Sequence, residues 1–91
     1  MDLKEAYEKA KVIKSDNGQV GHCSYSKKVI MRLKKELSEE QFGELTGGQV
    51  YYIVMEMMKE EHPDMYKWVI KNRGKKFRMQ VGAHLSMIRN K

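Results

Sequence analysis

An all-α fold, a single compact bundle of about five short helices, follows from how this chain spaces its apolar and capping residues. Ser38 precedes Gln41 by three positions, and Thr46 precedes Gln49 in the same way. Each pair reads as a capping box, in which side chain and backbone satisfy one another at a helix start. Val50, Ile53, Val54, Met57 and Met58 recur at intervals of three and four, the spacing of one helical face. The only proline, Pro63, sits where one helix must end and another can begin, since proline is tolerated at a first helical position. With 91 residues the chain is long enough for one domain, 1–91, and no repeat or linker divides it.

In chain order, Asp2 and Glu5 form the first capping box. Leu3, Ala6, Tyr7, Ala10 and Ile13 then predict a helix over 3–15, which Asn17-Gly18 would stop. A hairpin through KVIKSDNGQV competes, because Asn-Gly also suits a type I′ turn, but its flanks alternate poorly. GHCSYS reads as a loop in which Ser24 or Ser26 caps the next helix. Tyr25, Val29, Ile30, Leu33 and Leu37 line the inner face of that helix, and Lys27, Lys28, Arg32, Lys34 and Lys35 mostly crowd the outer one. A short acidic turn, SEEQFGEL, follows, with Phe42 and Leu45 folding back onto the core. The central helix covers 48–61. After it, Met65, Trp68 and Val69 form the inner face of a helix that Asn72 and Gly74 end.

The last segment reads two ways. Phe77, Val81, Leu85 and Ile88 fit a helical stripe, while Phe77, Met79 and Val81 alternate with polar residues as a strand would. Gly82 inside a helix costs about 1 kcal/mol relative to alanine, which weakens the helical reading without removing it. A helix over 76–89 is the expectation. With residues 64–72 and the turn NRGK it gives a helix-turn-helix-like C-terminal part. The usual spacing fits poorly, because Ile70 falls where a small residue belongs and Gln80 where a buried aliphatic belongs.

Charge is segregated along the chain. The net charge is +6, yet residues 65–91 hold eight Lys or Arg and no acid, whereas residues 36–64 hold eight acids and only Lys59. Residues 9–35 are again basic, with eight cations against Asp16. The basic segments would either pair with the acidic middle or leave a basic face in solvent. The single Cys23 gives no internal disulfide, no apolar run reaches the length of a membrane span, and the polar N-terminus is unlike a secretory signal. A cytoplasmic protein with no membrane association is therefore expected.

No constellation of residues suggests an enzyme. His22, Cys23, His62 and His84 lack chelating spacings, so no metal site is expected. Cys23 beside His22 has no orienting third group, and the pairs Glu39-Glu40 and Glu60-Glu61 fall in solvated helical turns. Gly47-Gly48 opens a helix but lacks the Lys-Ser/Thr of a phosphate-binding loop. No cofactor is implied.

Two functional expectations remain. One is a regulatory nucleic-acid-binding protein, with duplex DNA the first choice and RNA left open. Arg78, Gln80 and His84 would reach base edges, and Arg73, Lys75, Lys76 and Arg89 would hold phosphates. Lys27, Lys28 and Arg32 would extend the footprint. The other is a docking module for a protein partner, an adaptor or inhibitor. It would act through Tyr52 and Met55, which lie off the main stripe of the central helix, and through the acidic middle segment. A homodimer is one way for a small bundle to cover surplus apolar side chains.

Overall fold

The computed structural model describes residues 3–11 and 21–90. Among these there are six α-helices: α1 Leu3–Lys11, α2 His22–Glu36, α3 Glu39–Glu44, α4 Gly47–Glu61, α5 Pro63–Asn72 and α6 Gly74–Arg89. No strand occurs among the described residues. The segment 77–81 is helical, because Phe77, Val81 and Leu85 all bury on one side when the backbone coils and would not if it were extended. Asp2, the 12–15 end of the first predicted helix and its Asn17-Gly18 stop lie outside the described residues.

Both internal capping boxes form. Gln41 N donates to Ser38 Oγ and Ser38 N donates to Gln41 Oε1; Thr46 and Gln49 repeat the exchange at the start of α4. The start of α2 differs from expectation. Gly21, not Ser24 or Ser26, is its N-cap, and no side chain caps it. Ser26 is fully buried inside the helix, where its hydroxyl shares a hydrogen bond with His84 Nδ1 at 3.1 Å. A buried partner 58 residues away outcompetes a local capping role, because an unpaired buried hydroxyl is costly.

α4 is the spine. It packs against α1, α2, α5 and α6, and Val50, Ile53, Val54, Met57 and Met58 are almost wholly buried along it. α2 contributes Tyr25, Val29, Ile30 and Leu33, α5 contributes Val69, and α6 contributes Phe77, Val81 and Leu85. Met65 packs against this cluster from its edge. Trp68, expected inside, is 49% exposed, its ring tilted against His22 at 5.3 Å instead. α5 has ten residues and buries only one, Val69, so its stripe is too narrow to take in the indole.

The α5–α6 turn is tighter than the predicted NRGK. Arg73 alone separates the two helices, and Gly74 takes φ +42°, a left-handed conformation that side chains with a Cβ resist. This glycine lets the chain reverse and start α6 at once, two residues earlier than the periodicity suggested.

Candidate nucleic-acid interface

Two glutamates at the end of α4 meet tyrosines of the first two helices. Tyr7 Oη donates a short hydrogen bond to Glu60, and Tyr25 Oη donates to Glu61 Oε1 at 3.0 Å. Arg32 faces Glu61 across 3.9 Å. The end of α4 is thus tied to α1 and α2. Both phenols are held above their ordinary pKa, Tyr7 and Tyr25 each first by burial and then by the adjoining glutamate.

Several predicted site residues are buried or engaged within the fold. Arg32 is committed to Glu61 and only partly exposed, and Lys28 is half-buried and already engaged. His84 is 8% exposed and points at Ser26 on α2, so it cannot reach a base edge. Burial, and secondarily the Lys27 charge, hold its imidazole below its usual pKa. Gln80 is half-buried, and its Oε1 is buried without a hydrogen-bond partner. Arg89 turns back to donate to the carbonyl oxygens of Phe42, at 2.9 Å, and Leu45, with its guanidinium over the Phe42 ring. It adds a charged donor at the C-terminal end of α3, where the Phe42 carbonyl also accepts the Leu45 backbone N–H.

What remains clusters at the α5–α6 turn. Lys71 in the last turn of α5 and Lys75 and Lys76 in the first turn of α6 are exposed, and Arg73 lies half-buried between them. Among the described residues no carboxylate pairs with any of the four. Arg73 Nε is buried without a hydrogen-bond partner, and its charge adds to burial in lowering the pKa of His22. Arg78, one turn along α6, is exposed, with its guanidinium 5.8 Å from the Tyr51 ring centre. It also lies against the first turn of α4, where a Cβ placed on Gly48 would come within 3.6 Å of Arg78 Nη2.

The electrostatics of this end are unusual for a helix start. α6 has no acidic residue in its first turn and no side chain capping its N-terminus. Lysines there face the positive end of the helix dipole, the reverse of the stabilising arrangement. The turn therefore concentrates positive potential from two sources, the lysine side chains and the positive end of the helix dipole, and an anion placed there relieves both.

Of the predicted nucleic-acid residues, the structure brings together Arg73, Lys75, Lys76 and Arg78. Lys27 is exposed on α2 beside the α6 flank, apart from the turn. Lys71 was missed as a site residue, although helix spacing could have placed it opposite Val69 and beside the turn. The predicted protein-docking pair separates as well. Tyr52 is 48% exposed, at the rim of a shallow cleft lined also by Lys4, Tyr7, Glu8 and Glu56, whereas Met55 is 8% exposed and belongs to the core. α4 is packed on several sides, against α1, α2, α5 and α6, so a position outside the main stripe is buried nonetheless. Among the described residues no group of His, Cys, Asp or Glu could hold a metal ion, and no helix is long and apolar enough to cross a membrane. Compared with known protein families, curated proteins and solved structures, the chain matches none.

Proposed function

We propose that the protein binds nucleic acid, duplex DNA foremost, through the phosphate backbone, with the α5–α6 turn as its anchor. The observation that carries this reading is the set Lys71, Arg73, Lys75 and Lys76, gathered around one turn with no carboxylate pairing among the described residues. Surplus cations cost a protein self-repulsion, and a polyanion offsets that cost while releasing its own counterions. The helix pair on either side of Gly74 is the sort of support that presents one helix to a groove. α6 is backed by α2, α4 and α5 and leaves its opposite side open.

The contacts proposed for the turn are phosphate contacts, which position a protein on DNA without reading sequence. The variant Lys71→Ala/Lys75→Ala/Lys76→Ala tests them. All three side chains are exposed, so the fold should persist, as circular dichroism would check. Duplex retention in a gel-shift series should fall steeply. Retention equal to that of the parent would place the interface elsewhere or remove it.

A further inference from the structure

Among the described residues three methionines are solvent-facing: Met79 is 74% exposed, Met31 61% and Met87 53%. Met79 and Met87 project from α6, opposite and beside the buried stripe of Phe77, Val81 and Leu85. Met31 belongs to the line of α2 residues that borders α6. On that line Lys27 lies near His84, and Lys34 Nζ donates to the Ile88 carbonyl at 3.1 Å. Exposed cations on the same two helices include Lys27, Lys34, Lys75 and Lys76. α6 holds no acid, and the only acid of α2 is its final residue, Glu36. Whatever covers this face must be anionic at its edges and apolar along its middle.

The major groove of DNA has that form wherever thymine occurs. Phosphates run along both rims, and the thymine C5-methyl group projects into the groove. The polar side chains of α6 that could read hydrogen-bond patterns are engaged elsewhere: His84 with Ser26, Arg89 with α3, and Arg78 against Tyr51. Met79, Ala83, Ser86 and Met87 are left exposed. Serine can bond to any base and so discriminates little, while methionine and alanine favour a methyl group. A Cβ at Gly82 would meet nothing within 4 Å, so the backbone there can approach a groove closely.

We propose that α6 reads thymine methyl groups in the major groove through Met79, Ala83 and Met87, so that the protein favours thymine-bearing duplex by apolar contact. This rests on the nucleic-acid reading above and adds a source of selectivity to it. The phosphates engaged at the α5–α6 turn hold the register, and the thioethers contribute only where a methyl group is present.

Fluorescence anisotropy with four duplexes of one length tests this. They are alternating A·T, the same with deoxyuridine for thymidine, all G·C, and G·C with 5-methylcytosine, which returns a methyl to the groove. Affinity should fall on the order of fourfold for each thymine methyl that deoxyuridine removes from the interface, the factor expected for burying one methyl-sized group. It should rise again with 5-methylcytosine. Met79→Ser combined with Met87→Ser should bring the thymine-to-uracil ratio down toward the share that Ala83 supplies, and should cost more affinity for the thymine duplex than for the unmethylated G·C duplex; a ratio equal to the parent's overturns the proposal. Equal affinity for thymine and uracil duplexes overturns the proposal while leaving phosphate binding intact, and assigns the methionines to a protein contact. Absence of binding to every duplex overturns both readings.

Discussion

His84 and Arg89 show how a residue type that suits a groove can serve the fold instead. His84 is held neutral, its pKa lowered chiefly by burial and then by Lys27, and His22 shifts the same way through burial and then Arg73. A depressed imidazole pKa means that the unfolded chain binds more protons than the folded one near neutral pH. Stability from these groups is therefore complete above the ordinary value of 6.5 and is lost as pH falls below it toward the lowered folded values. Urea midpoints should drop between about pH 7.5 and 5, and His84→Gln should flatten part of that drop. A midpoint constant over this interval would mean that His84 is not buried against Ser26. Arg89→Ala leaves the Phe42 and Leu45 carbonyls without their charged donor, and should cost about 1–2 kcal/mol in urea unfolding. Its effect on DNA affinity should be slight.

Helix boundaries and inward stripes are legible where local chemistry dominates. Ser38-Gln41, Thr46-Gln49 and Pro63 each mark a helix start by groups within three residues, and the structure keeps all of them. The exceptions depend on distant packing. Ser26 has the chemistry of a cap, but His84 packs against it from α6; Met55 lies off the main stripe on the helical wheel, but α4 is packed by four other helices and Met55 is buried. The same logic separates Met55 from Tyr52 experimentally. Met55→Ala should destabilise by about 2–4 kcal/mol, as for other buried methionines. Tyr52→Ala should stay within about 0.5 kcal/mol, as an exposed position does. Denaturant titrations of the two variants check this, and equal costs would contradict the burial assigned to Met55. Gly74→Ala should cost about 1–2 kcal/mol, because alanine must adopt the left-handed turn between α5 and α6. An alanine variant as stable as the parent would show that the turn has another conformation.

Across the molecule as a whole, segregation of charge along the chain only partly becomes segregation in space. The acidic block divides: Glu60 and Glu61 at the end of α4 hold Tyr7, Tyr25 and Arg32, while Glu39 and Glu40 open α3, where acids complement the dipole. The basic blocks divide as well, Arg32 half-buried beside Glu61, Arg89 folded onto the end of α3, and Lys71, Lys75 and Lys76 staying in solvent. Composition could signal the surplus of cations but not which of them fold back, since that depends on the neighbours each helix meets. The outward set is proposed to engage phosphates. The most direct measurement is the slope of log affinity for a random duplex against log salt concentration, in the parent and in Lys71→Ala/Lys75→Ala/Lys76→Ala. Each phosphate that the variant no longer neutralises should make the slope shallower by about 0.9, so the two proteins should differ by nearly three. A parent whose duplex affinity ignores salt, or a variant with the parent's slope, would contradict the account.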